Sequence, residues 1–196
     1  MKKILGVCVT AIIAGSLMTG CSEMKNVFSK ANGVVLYGEQ QQVEDVFDQE
    51  KKDVKEKAEY KIKITESGDQ KVMILGETTA KALVGKELIK EVKKSDETEA
   101  ISELPSITKG NAVLFAKEDV KIVNLDGKKL KVSYEGNKII GDGRSYVDMF
   151  LIVDDSEWSD MKGTEKTMGI ISFDKDPNKK LSGFKVDEAQ LVKINE

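Results

Sequence analysis

The sequence predicts an α+β domain: an antiparallel β-meander or small open barrel with two packed helices, preceded by a cleaved signal peptide. Three observations carry this expectation. Two apolar stretches with helical spacing fall early in the body of the chain, short alternating segments crowd its second half, and glycine-containing dipeptides punctuate those segments. The organisation that follows is a leader over 1–20, a tether over 21–32 and a single α+β extracytoplasmic domain over 33–196.

Each element has its own justification. Val34-Val35-Leu36-Tyr37 is an unbroken apolar run ended by Gly38, the pattern of a buried strand. Between Glu39 and Glu50, Val43, Val46 and Phe47 recur at helical spacing with acidic residues among them, which predicts an amphipathic helix. Ala58, Tyr60, Ile62 and Ile64 alternate with charged residues, so this strand has one wet face. Ser67-Gly68-Asp69 then turns the chain into Val72-Met73-Ile74-Leu75. Ala80, Leu83, Val84, Leu88 and Val92 predict a second helix reaching about Lys93, against the helix-weakening Gly85. A short helix is expected from Asp96 to Leu104, stopped by Pro105.

The strands of the second half are expected at 112–116, 120–124, 129–134, 138–140 and 146–153. Asp126-Gly127, Gly136-Asn137 and Asp142-Gly143 separate them, and such pairs accept the positive φ that tight hairpin turns require. That spacing predicts the meander, with Ile122, Leu130 and Val132 facing the core. Segments 168–173 and 185–194 add further strands, separated by a turn at Asp176-Pro177-Asn178.

The leader is read from charge and apolar length. Lys2 and Lys3 precede an apolar run from Ile4 to Thr19, too short for a comfortable membrane span and closed by small residues. Leu17-Met18-Thr19-Gly20-Cys21 resembles the lipobox of bacterial lipoproteins. The resemblance implies diacylglyceryl transfer to the Cys21 thiol, cleavage between Gly20 and Cys21, and acylation of the new amino terminus. Cys8 departs with the leader, so the mature chain keeps one cysteine and forms no internal disulfide. The leader also removes two lysines, leaving the body more acidic than the formal charge of −3 for the whole chain. Attachment to the membrane then rests on acyl chains rather than on attraction to anionic lipid.

Composition excludes several chemistries. There is no histidine, which removes His-based triads, His–metal ligation and an imidazole switch near neutral pH. Of 31 basic residues only Arg144 is an arginine, and the chain is acidic, so no nucleic-acid partner is expected. The lysine bias resembles that of low-GC Gram-positive bacteria. Two strand–Gly-Glu–helix units lack the glycine-rich turn of a phosphate cradle. Asp174, Asp176 and Asn178 have the first spacings of a calcium loop, but lysine stands at the sixth and twelfth positions, Lys179 and Lys185. Ser159 and Lys162 have the spacing of penicillin-recognising enzymes without the partner motifs. No metal or cofactor is expected.

Two places remain as candidate sites. Asp148 interrupts an apolar strand and alternation sets it beside Tyr146 and Phe150, where a pocket carboxylate would do acid–base chemistry. Asp154, Asp155, Glu157 and Asp160 surround the only tryptophan, Trp158, and Asp155, Glu157 and Trp158 form a possible contact patch; the plainer reading is a short helix capped by Asp155 or Ser156 and stopped by Gly163. The function expected is a membrane-anchored extracytoplasmic lipoprotein whose domain is a non-enzymatic binding or interaction module for an envelope partner. The alternatives are a carboxylate-based envelope hydrolase and a carrier of a small apolar ligand.

Overall fold

The computed structural model describes residues 31–94 and 97–195. The leader, Gly20 and Cys21 lie outside the described residues, as does Asp96. The chain enters the fold at Asn32, whose side chain grips the far end of the sequence: its Nδ2 donates to the Ile194 carbonyl at 2.9 Å, and its Oδ1 accepts from the Ile194 amide at 2.7 Å.

The first strand, β1 (Gly33–Gly38), is buried throughout, as an apolar run with no wet face must be. Helix α1 (Gln40–Glu50) follows through a capping box, with Gln42 Oε1 accepting from the Glu39 amide at 2.6 Å. Its buried face is Val43, Val46, Phe47 and Glu50. Strand β2 (Val54–Ser67) keeps the alternation of its sequence, and β3 (Gln70–Gly76) returns antiparallel to it.

Helix α2 (Glu77–Gly85) is shorter than expected. The chain leaves it in a Schellman arrangement, the Leu88 amide donating to the Leu83 carbonyl and the Glu87 amide to that of Val84, both at 2.9 Å. Glu87 holds the left-handed position, at φ 57°, that glycine usually takes. Residues expected to continue the helix instead form β4 (Ile89–Val92), and within the helix expected from Asp96 to Leu104 lies the strand β5 (Thr98–Ala100). These two strands pair with β9 (Lys138–Ile140) in a small sheet of order β5-β4-β9.

The remaining strands are β6 (Ala112–Phe115), β7 (Ile122–Leu125), β8 (Lys128–Tyr134), β10 (Met149–Val153), β11 (Thr164–Phe173) and β12 (Glu188–Val192). They join β1, β2 and β3 in a nine-stranded mixed sheet of order β12-β1-β11-β2-β3-β10-β6-β8-β7. The expected antiparallel meander is thereby corrected. β6 runs parallel to β8 and β10 parallel to β3, while β9 leaves for the small sheet. Of the three turn dipeptides, only Asp126-Gly127 joins two consecutive paired strands. Its φ values of 50° and 79° are those of a primed turn, and Leu125 faces Lys128 across it. The register puts Val123 and Leu125 inward and leaves Ile122 52% exposed, opposite to its expected place.

The sheet curls without closing into a barrel. Ser67 Oγ at the end of β2 accepts from the Asn124 amide of β7 at 3.0 Å, but no ladder joins these strands. Alternate side chains divide between its faces. Met73, Leu75, Phe115, Phe150 and Ile152 pack with α2 and the small sheet, whereas Ile74, Leu114, Leu151 and Val153 fill the curl with Trp158. A third cluster, with Leu36, Phe47 and Phe173, lies under α1.

Candidate functional site

The acidic–aromatic segment is a structural corner. Helix α3 (Asp155–Trp158) begins at Asp154, not at Asp155 or Ser156: Asp154 Oδ1 accepts from the Ser156 amide at 2.9 Å, and the Ser156 bonds hold this carboxyl below its ordinary value. Asp155 reaches another helix. Its carboxylate accepts from the Thr78 amide at 3.1 Å and from Thr78 Oγ1 at 2.5 Å, capping α2 across space where Gly76 offers no side chain. Gly76 is required for this approach, because a Cβ there would overlap Asp155 Oδ1. Glu157 Oε2 accepts from the Gly110 amide at 2.8 Å and pins the loop before β6.

Trp158 closes one end of the curl. Above it sits Lys63, only 8% exposed, with Nζ 4.4 Å from the indole centre. The ammonium donates to the carbonyls of Trp158 (3.0 Å), Ser159 (3.1 Å) and Met161 (2.7 Å). A cation on carbonyls freed at a helix end is the favourable arrangement, and here it ends the four-residue α3. Trp158 Nε1 is buried with no hydrogen-bond partner.

Asp148 stands on the surface, whereas Tyr146 and Phe150 are buried. Asp148 lies just before β10, where Oδ2 accepts from the Lys71 amide at 2.7 Å while its own amide donates to the Lys71 carbonyl at 2.8 Å. The carboxylate extends the β3–β10 pairing by one link. At the proline turn, Asp176 Oδ1 accepts from the Asn178 amide at 2.9 Å, which starts a 3-10 turn over Asn178–Gly183. Among the described residues no group of three or more Asp, Glu or Cys is placed to hold a metal ion.

A cluster that no sequence motif announces lies at the end of the sheet opposite Asn32. The rings of Tyr37 and Tyr146 stack with centroids 4.7 Å apart, and Lys71 Nζ stands 3.9 Å from the Tyr146 ring centre. Tyr146 donates to Asp187 at 3.3 Å, and Lys166 bridges Asp187 (2.8 Å) and Glu39 (2.6 Å). Burial, aided by the Asp187 charge, pushes the Tyr146 hydroxyl up to about 12, and burial raises Tyr37 as well. Hydrogen bonds from Lys166 to its two carboxylates hold its ammonium well above the ordinary lysine value. Residues 37, 146, 166 and 187 meet only because β1, β11 and the approaches to β10 and β12 end together.

Two open clefts flank β2. One, of about 420 Å³, lies between α1 and β2 and is lined by Glu44, Phe47, Asp48, Lys57, Ala58 and Glu59. The other, of about 180 Å³, is bounded by Lys61, Gly76, Thr79, Asp155 and Trp158.

The fold and this corner define a strand-rich domain whose notable carboxylates serve as main-chain clasps. The chain belongs to an uncharacterised lipoprotein family, whose model matches residues 31–195. It is similar to the crystal structure of a protein from Bacillus anthracis described as a "putative lipoprotein", with 37% identity and a TM-score of 0.77 over 84% of this chain and 100% of that one. Among curated proteins none matches. Membership of a lipoprotein family implies membrane anchoring in the cell envelope, and no described helix is long and apolar enough to cross a membrane.

Proposed function

We propose that this chain is a non-enzymatic binding module held by lipid on the outer face of the cytoplasmic membrane of a Gram-positive bacterium. The residues Leu17–Cys21 support anchoring through the Cys21 thiol after a cut behind Gly20, with the freed amino group acylated in turn. Two or three acyl chains, at about 0.8 kcal/mol per buried methylene, hold an acidic body that anionic lipid repels.

The observation that carries the non-enzymatic reading is the use made of the carboxylates. Asp148, Asp155 and Glu157 each accept a backbone N–H, from Lys71, Thr78 and Gly110 respectively. A carboxylate occupied in holding the main chain is poorly placed to shuttle protons to a substrate.

The test is a pair of substitutions. Cys21→Ser is expected to appear in the medium or to remain unprocessed; a processed mutant that stays membrane-bound through a salt wash would overturn the anchoring. Asp148→Asn is expected to leave envelope turnover unchanged. Loss of a glycan- or peptide-cleaving activity in that variant, at an unaltered unfolding midpoint, would overturn the binding-module reading.

A further inference from the structure

The nine-stranded sheet contains an unpaired edge in its middle. β2 pairs with β11 from Val54 to Ile64, but with β3 only from Lys63 to Ser67. Beyond that point β3 reaches Gly76 and departs into α2, and the sheet forks. Residues Glu56–Ile62 therefore have a strand on one side and, among the described residues, no strand on the other. Seven residues of strand offer a backbone edge of roughly 23 Å.

The two clefts lie along this same edge. The smaller sits in the fork, between Lys61 of β2 and Gly76 at the end of β3. The larger runs beside Lys57, Ala58 and Glu59 under the wall made by α1. An unpaired edge normally carries charges that discourage promiscuous pairing, and this one presents Lys57, Glu59 and Lys61 on one face, all exposed. Such a pattern rejects apolar strands and selects one of opposite pattern, because residues directly across a ladder interact pairwise. The central position is strongly acidic: Glu59 shares its cleft with Glu44 and Asp48. Ala58 and Tyr60 alternate with these charges and turn their half-buried side chains to the other face.

We propose that the Glu56–Ile62 edge of β2 takes up an extended strand of a partner polypeptide, with a basic residue opposite Glu59 and acidic residues two positions to either side. Apolar residues of that strand lie opposite Ala58 and Tyr60. Backbone hydrogen bonds supply affinity and the charge pattern supplies choice, as in other strand-addition complexes. This deepens the binding-module reading by naming its site, and it does not depend on how Cys21 is modified.

The test uses the full chain in non-ionic detergent micelles and three synthetic peptides. The first carries Glu-Val-Lys-Val-Glu between neutral ends, the second has inverted charges, Lys-Val-Glu-Val-Lys, and the third is the first peptide with alternate backbone amides methylated. The first peptide is expected to slow amide exchange across Glu56–Ile62 at least tenfold and to shift the emission of Trp158. It should bind at least ten times more tightly than either of the others, and Glu59→Lys should abolish its advantage over the inverted peptide. Equal binding of the methylated peptide would overturn the proposal by showing side-chain attraction alone. Absence of protection at Glu56–Ile62 would overturn it too. Protection without peptide, accompanied by a dimer in sedimentation, would replace the partner strand with one from a second copy. Failure on any of these grounds removes the site and leaves the Cys21→Ser result standing.

Discussion

Gly76 and Asp155 should behave as one unit although they stand far apart in sequence. The N-cap of α2 is Gly76 itself, in extended conformation at φ −74° and ψ 155°, so alanine meets no backbone strain there. The obstacle is the carboxylate: a Cβ on residue 76 would overlap Asp155 Oδ1, which is bonded to the Thr78 amide at 3.1 Å. Losing a capping carboxylate costs about 0.5–2 kcal/mol, so Asp155→Ala should destabilise the domain by roughly 1–2 kcal/mol. Gly76→Ala should cost about as much by pushing the same carboxylate off the helix. In the Asp155→Ala background, however, Gly76→Ala should be close to neutral, since the clash is gone and the lost cap preference is offset by a stiffer unfolded chain. The coupling energy expected from the double-mutant cycle is therefore about 1–2 kcal/mol, equivalent to a shift of roughly 2–8 °C in midpoint for a domain of this size. Urea unfolding followed by the fluorescence of Trp158, which adjoins both residues, measures all four corners of the cycle. If Gly76→Ala costs the same with and without Asp155, the two do not share a cap and the account of this corner is wrong.

Further outcomes follow from the same geometry. Gly127→Val should destabilise by roughly 1–3 kcal/mol and Gly127→Asn by much less, because φ is 79° while nothing lies within 4 Å of an added Cβ; equal denaturation midpoints for both variants would exclude a strained turn. Lys63→Met should cost roughly 2–4 kcal/mol and alter Trp158 emission, since three carbonyls lose a charged donor; an unchanged midpoint would refute the capping role. Stability should also fall as pH rises from 10 towards 12. Burial pushes the Tyr146 hydroxyl up to about 12 from an ordinary 10.0, so the folded state holds this proton more tightly and its contribution, intact below pH 10, is lost above it. Tyr146→Phe should flatten that decline, measured by calorimetric midpoints across the range, and an equally steep decline in the variant would refute it.

The parts of this fold legible in sequence are those settled within a few residues. β1, α1 and β2 follow from local periodicity, and the 126–127 turn follows from the φ that only a few residues tolerate. The end of α2 was hidden because Glu87 occupies a position where glycine is the usual signal, while Leu88 prolonged a helical spacing that its Schellman bonds in fact terminate. Beyond the β2–β3 and β7–β8 hairpins, strand order was not legible. Nothing local states that Ala112–Phe115 lies parallel to β8 or that β9 pairs with β4; those choices depend on burying both faces of the sheet at once.

The candidate site divides in the same way. Asp148, Asp155 and Glu157 stand near aromatics in sequence, a pattern that suggests chemistry, yet each is spent on a backbone amide that sequence does not reveal. The Tyr37–Tyr146–Asp187–Lys166 cluster had no signal, since its members come together only through the sheet. The open edge of β2 did leave a trace. Alternation from Ala58 to Ile64 marks a strand that runs well back from the Ser67-Gly68-Asp69 turn, whereas the apolar run on the other side of that turn stops at Leu75-Gly76. A hairpin whose arms differ so much in length cannot pair along its longer arm. Either another strand must cover the excess or the excess stays open, and β11 covers one side of it only. The mismatch in arm length is thus a sequence-level reason to look for an unpaired edge, and the Lys57–Glu59–Lys61 alternation is the physical means by which such an edge remains in solution without pairing indiscriminately.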